Sequence, residues 1–284
     1  MANSADTPVF RFAPSPNGKL HLGHALSALL CHDRARAMGG RFLIRFEDID
    51  TVRCSRDLAE AMLEDLAWLG LTWDAEPEFQ SDHFQGYRAA AERLRADGLL
   101  YPCTCSRGEI ARAIADDPAW PRDPDGAPLY PGTHRPRDDE PPMLPLSGQI
   151  AWRLDMARAL RHAGQAANVT WFEDGQTVTG DPAVWGDAVL IRKDTPASYH
   201  LACVLDDARQ GVTHVVRGED LKPATSLHGL LQICLDLPAP AYHHHRLVLD
   251  KTGRKLSKSD GDTSLADLRR TGATPSDIRK SLGL

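Results

Sequence analysis

Two short segments at opposite ends of the chain constrain the fold most. The first is Arg11-Phe-Ala-Pro-Ser-Pro-Asn-Gly-Lys-Leu-His-Leu-Gly-His24, and the second is Lys255-Leu-Ser-Lys-Ser259. The first reads as a strand, a Pro/Gly turn and a helix beginning near Leu22. Its loop therefore ends where unpaired helix N–H groups and the positive end of the helix dipole attract phosphate. His21 and His24 sit at that mouth, and both imidazoles can donate hydrogen bonds to phosphoryl oxygens. Gly23 has no side chain to keep a flat base from the backbone. In the second segment, Lys255 and Lys258 lie on a Gly/Ser/Asp-rich loop that can close over outer phosphates. Together the segments bracket a nucleotide-binding site.

The chain between them alternates strand and helix at first. The patterns predict strand 8–14, helix 22–38, strand 41–46, helix 57–69 and helix 84–96, a parallel α/β arrangement. Leu58, Met62, Leu66 and Leu69 recur at helical spacing, with Gly70 as the stop signal, and read as core. Residues 106–147 are crowded with Pro, Asp and Arg and read as a long irregular excursion. Strands are expected again at 188–192, 212–217 and 246–249, with a helix over 224–235. The expected domains are residues 1–100 and 201–245 as two halves of a nucleotide-binding domain, residues 101–200 as an insertion, and residues 246–284 as the Lys-rich loop with a short helical end.

Charge and composition narrow the class. The 284 residues carry a net charge of −6, yet from Arg246 onward nine Lys/Arg face five Asp. A basic end on an acidic body suggests a localised polyanion contact. The first ten residues lack the basic and apolar regions of a signal peptide, and no apolar run approaches transmembrane length. A cytoplasmic protein without membrane contact is expected. Cys31, Cys54, Cys203 and Cys234 are scattered and read as reduced core thiols, whereas Cys103-Thr-Cys105 forms a pair suited to a metal.

The segments HLGH and KLSKS resemble the HIGH and KMSKS signatures of class I aminoacyl-tRNA synthetases. The Phe-Ala-Pro-Ser-Pro stretch before HLGH and Arg45-Phe-Glu-Asp-Ile-Asp50 after the first helix resemble the glutamyl enzymes. The resemblance covers nearly the whole chain and is nearest to the glutamyl-Q tRNA(Asp) synthetase family, truncated paralogues of glutamyl-tRNA synthetase. It implies a Rossmann-type parallel sheet split by an acceptor-binding insertion, with no anticodon-binding domain, since only 25 residues follow Ser259.

The resemblance also implies roles. His21, His24, Lys255 and Lys258 would be catalytic, with His21, Gly23, His24 and Lys258 on ATP and its magnesium. Arg11, Phe12, Ala13, Pro14, Ser15, Glu47, Tyr199 and Arg217 would bind L-glutamate. A dicarboxylate with one ammonium needs fixed cations and an anion, which Arg11, Arg217 and Glu47 supply. Tyr130-Pro-Gly-Thr-His134 resembles the family's Tyr-x-Gly-x-Cys element with histidine in the last place. One structural zinc would then be held by Cys103, Cys105, Tyr130 and His134.

The implied reaction is activation of glutamate by ATP without tRNA, then transfer to the cyclopentenediol of queuosine in the anticodon of tRNA(Asp). No obligate protein partner is implied. Charging of tRNA(Glu), a small-molecule nucleotidyltransferase and a noncatalytic RNA-binding module stand as alternatives.

Overall fold

The structure is a computed structural model that describes residues 7–137, 146, 150–164, 168–250, 253–254, 256 and 263–284. Lys255 and Lys258 lie outside the described residues. In chain order the elements are β1 (Val9–Phe12), α1 (Leu22–Ala37), β2 (Arg41–Phe46), α2 (Arg56–Trp68), β3 (Glu78–Phe79), α3 (Phe84–Ala96), β4 (Leu100–Cys103) and α4 (Arg107–Ala113). There follow β5 (Ala151–Leu154), α5 (Met156–His162), β6 (Val169–Glu173), β7 (Gln176–Gly180), β8 (Val189–Ile191), α6 (Tyr199–Arg209) and β9 (His214–Gly218). The last are α7 (Ala224–Cys234), β10 (Ala241–His245), α8 (Leu265–Arg270) and α9 (Pro275–Leu282). Among the described residues no helix is long and apolar enough to cross a membrane.

These elements cluster into two compact units. The first comprises the described residues of Met1–Asp82, Gln210–Lys222 and Pro240–Leu284, and the second those of His83–Arg209 and Pro223–Ala239. In the first unit the strands run in the order β3-β2-β1-β9-β10, every pair parallel. That is the order of doubly wound nucleotide-binding sheets, in which the connection reverses direction between β1 and the fourth strand of the series. Ligands bind outside the carboxyl ends of the strands at such a reversal, here between β1 and β9. Phe10, Phe42 and Ile44 of the sheet are buried with Leu26 and Leu29 of α1 and Met62 and Leu66 of α2. Gly70, just past the C-cap of α2, takes φ +83, a conformation glycine adopts without strain.

The end of the chain joins this core. Leu265, Ile278 and Leu282 are buried in it, and Arg279 grips Asp33 of α1 with two hydrogen bonds of 2.7 and 3.0 Å. The basic end is accordingly less available than its charge count suggests. Arg269 approaches Glu64 and Asp65, Arg270 pairs with Asp267, Arg254 with Asp250, and Arg246 donates to the Leu282 carbonyl.

The second unit holds the antiparallel sheet β4-β5-β8 and the hairpin β6-β7. Trp152, Leu154 and Leu190 are buried with Leu227, Leu230 and Leu231 of α7. Two differences from the expected elements have physical causes. The strand expected at 246–249 lies instead at Ala241–His245, where Tyr242 and His245 are buried by parallel pairing with β9 in spite of three consecutive histidines. The hairpin β6-β7, absent from the expected elements, turns on Asp174-Gly175, whose φ angles of 47° and 84° build the two-residue turn that such a dipeptide favours.

Candidate active site and metal-binding group

Helix α1 starts one residue after His21, at the carboxyl end of β1. His21 is its N-cap, and its Nδ1 accepts from the Gly23 N–H at 3.1 Å. In return the His24 Nδ1 accepts from the His21 N–H at 3.2 Å, closing a reciprocal capping box. The two rings stand 3.9 Å apart between centroids. Imidazole is not among the favoured N-caps, so the chain departs here from the choice that stability alone would make. The consequence is chemical: an Nδ1 that accepts places the ring proton on Nε2, so each ring presents a donor there. A Cβ on Gly23 would fall 2.9 Å from His21 Cε1, so glycine makes room for the capping ring itself. No acidic side chain lies in the first turn to offset the helix dipole.

The chain returns to the same place after the second motif. Ser264 forms an antiparallel bridge with His21, and the Leu265 N–H donates to the Leu20 carbonyl at 2.8 Å.

Two arginines of the expected glutamate set are buried in adjacent strands. Arg11 on β1 and Arg217 on β9 are each 4% exposed. With Phe10 registered against His214, Arg11 and Arg217 stand an odd number of residues further along and share one face of the sheet. Arg217 donates from Nε to His244 Nε2 at 3.2 Å, and its guanidinium lies 5.2 Å over the Tyr242 ring. Phe12, the last residue of β1, and Pro14 are buried, and Ala13 and Ser15 are half-buried in the loop that leaves the strand. Glu47, also half-buried, is fixed by its N–H to the Pro14 carbonyl at 3.0 Å, which ties the end of β2 to the same loop.

Cys54, expected as a core thiol, is only half-buried, and its sulfur lies 3.5 Å from Ser15 Oγ. Tyr199 belongs to the second unit, where it opens α6. There its ring neighbours His200 and His228, whose Nδ1 and Nε2 are 3.2 Å apart.

In the second unit Cys103, Cys105 and His134 bring their ligand atoms within 4.8 Å of one another. Cys105 Sγ is 3.4 Å from His134 Nδ1 and 3.5 Å from Tyr130 Oη, which also accepts the His134 N–H at 2.9 Å. Ligand atoms of a tetrahedral zinc centre stand ~3.6 Å apart, given Zn–S and Zn–N bonds of about 2.3 and 2.0 Å. Two sulfurs and an imidazole at this spacing fit that ion, with the Tyr130 oxygen adjacent. Burial alone would raise the Cys103 thiol, but hydrogen bonds with His134, Tyr130 and Arg153 and the Arg153 charge outweigh it and hold the thiol at about 7. Burial and both thiols push the Tyr130 phenol up. Arg153, which no local spacing marks, stacks 4.0 Å over the Tyr130 ring.

A profile of the family described as tRNA synthetases class I (E and Q), catalytic domain, matches residues 9–124 and 163–284. The chain belongs to this family of class I tRNA synthetases. A glutamyl-Q tRNA(Asp) synthetase of Rhodobacter capsulatus is 48% identical over 281 residues, covering 97% of this chain and 100% of that protein. One of Leptothrix cholodnii is 44% identical over 267 residues, covering 92% and 85%. Among solved structures, a glutamate-tRNA synthetase of Elizabethkingia anophelis superposes with a TM-score of 0.71 at 28% identity. It is covered over 54% of its length, so this class I synthetase chain spans about half of that solved protein. The fold is the class I catalytic α/β domain with a mostly parallel sheet, and the chain is a ligase-type enzyme of that family.

Proposed function

We propose that the protein activates L-glutamate with ATP in the absence of tRNA and transfers it to the queuosine base of tRNA(Asp). The observation that carries the activation step is the imidazole pair capping α1 at the reversal point of the sheet. The acceptor is carried by the names of relatives that are 40–48% identical. In this reading the glutamate α-carboxylate attacks the ATP α-phosphorus, forming glutamyl-adenylate and releasing pyrophosphate. No protein nucleophile takes part. His21 and His24 donate to phosphoryl oxygens and Lys255 and Lys258 add charge on the outer phosphates, while magnesium accompanying ATP would supply further neutralisation of phosphate charge.

Arg11 and Arg217 supply cations for glutamate, and Glu47 the counter-charge for its amine. Ser15 and the backbone of residues 12–14 shape the loop around it, while Tyr199 enters this set on the resemblance alone. A queuosine hydroxyl then attacks the activated carbonyl, and AMP leaves. Glutamate-dependent exchange of pyrophosphate into ATP, with no RNA present, tests the first step. Exchange that requires tRNA, or that proceeds equally with other amino acids, would overturn it.

Zinc in the group formed by Cys103, Cys105, His134 and Tyr130 would serve shape rather than chemistry, because four protein ligands leave no open position. Elemental analysis of protein purified without chelator should give close to one zinc per chain, and Cys103→Ser should lose it. Equal absence of metal from both proteins would reduce the site to a pair of thiols beside a loop.

A further inference from the structure

Asp187 is a buried carboxylate that no ligand pattern includes, placed just before β8 with its side chain fully shielded from solvent. Its Oδ2 accepts from Tyr101 Oη at 2.6 Å and from Arg135 Nε at 2.7 Å, and its Oδ1 accepts from the Met156 N–H at 3.0 Å. Its backbone carbonyl accepts from Arg153 at 2.9 Å. A buried charge is tolerated when its lone pairs are filled in this way, and the same bonds then fix whatever donates them.

Three of these donors lead straight to the metal-binding group. Tyr101 precedes Cys103 by two residues on β4. Arg135 follows His134, and Arg153 stacks on Tyr130 and hydrogen-bonds with Cys103. The segment from Tyr130 to Arg135 turns on Gly132, at φ +82, with the Arg135 N–H donating to the Gly132 carbonyl at 2.9 Å. Tyr130 at its start packs with Tyr101 and Cys103 of β4, whereas its far end, beyond His134, needs a separate tie. The ion pair between Arg135 and Asp187 provides it, at 2.6 Å from terminal nitrogen to carboxylate oxygen.

We propose that Asp187 is a positioning residue for the metal-binding group: through Arg135 it holds His134 and Tyr130 facing the two thiols before any ion arrives. Preorganisation of this kind leaves less loop-ordering entropy to be lost on binding. The proposal rests on the metal reading above, and its test separates the two.

The full chain, stripped of metal and titrated with zinc alone against a competing chromophoric chelator, gives the affinity. Arg135→Gln and Asp187→Asn should each weaken zinc binding about 10- to 100-fold, as loss of partners that orient metal ligands does elsewhere. Arg135→Lys, which keeps the charge, should recover part of the loss. The visible spectrum of the cobalt(II)-substituted protein should shift in Arg135→Gln, a change in ligand geometry that reduced stability alone does not produce. Arg135 is 42% exposed and Tyr101 and the Met156 N–H still donate to Asp187 in its absence, so Arg135→Gln is the milder change and decides alone if Asp187→Asn does not fold. Zinc affinity in Arg135→Gln within about twofold of the parent, with an unchanged cobalt spectrum, would overturn the proposal while leaving the metal reading intact. A parent protein that binds no zinc would overturn both.

Discussion

Replacing His24 by alanine should lower glutamate-dependent ATP–pyrophosphate exchange by about 100-fold or more, the effect of removing one donor aimed at developing charge. The ring has two jobs in the structure. Its Nδ1 accepts the His21 N–H and so completes the cap of α1, while the proton this leaves on Nε2 is the one proposed to donate to phosphate. Loss of a cap costs about 1 kcal/mol of stability, which by itself leaves an otherwise sound enzyme folded and active. His24→Asn separates the two jobs, because its amide oxygen can accept the same N–H. Exchange should stay low in that variant while its melting temperature recovers toward the parent.

Lys258→Ala should fall by a comparable factor, since an ammonium on the outer phosphates is a second, independent source of transition-state charge stabilisation. The bridge between Ser264 and His21 returns the chain to the helix mouth six residues after that lysine. Near-normal exchange in both variants would remove the assigned roles. The assay needs no RNA, so its outcome does not depend on which acceptor the enzyme serves.

How much of this was legible beforehand varied with the range of the interactions involved. The start of α1 could be read from the order strand, Pro/Gly turn, HLGH, because the helix boundary is written locally. The reciprocal cap could not, since imidazole is outside the usual list of N-caps and which nitrogen accepts depends on the ring's orientation in the fold. The hairpin at 169–180 carries a local signal in Asp174-Gly175, although its strands are not among the expected elements. Strand β10 had none, because its three histidines take their conformation from parallel pairing with a strand some thirty residues earlier in the chain.

The same contrast holds at the metal-binding group. Cys103 and Cys105 announce themselves by spacing. Arg153 and Asp187 enter through contacts across 23 to 86 residues, which periodicity cannot reveal. The charge count at the C-terminal end misled in a different way. It counts guanidiniums without their partners, and Arg279, already held by Asp33, contributes less to a polyanion surface than an unpaired cation would.

Glutamate should be transferred to tRNA(Asp) that carries queuosine and not to the same RNA carrying guanosine, an all-or-none difference set by the acceptor group. An activated acyl-adenylate needs an attacking hydroxyl. The cyclopentenediol of queuosine brings one into the anticodon loop, whereas guanine offers none on its base. If the loop is what reaches the adenylate, the 3′ end has no part in the reaction, and removal of the 3′-terminal nucleotide should leave transfer undiminished. A tRNA(Glu)-charging enzyme predicts the reverse, because its acceptor is the terminal ribose.

Binding should weaken with added salt, as phosphate contacts do, and the slope reports how many cations take part. With Arg246, Arg254, Arg269, Arg270 and Arg279 engaged within the protein, that slope should be shallower than the nine positive side chains of the C-terminal stretch imply. Equal labelling of the modified and unmodified RNAs would defeat the queuosine assignment. Labelling that disappears when only the 3′-terminal nucleotide is missing would instead place the enzyme with the glutamate-charging synthetases.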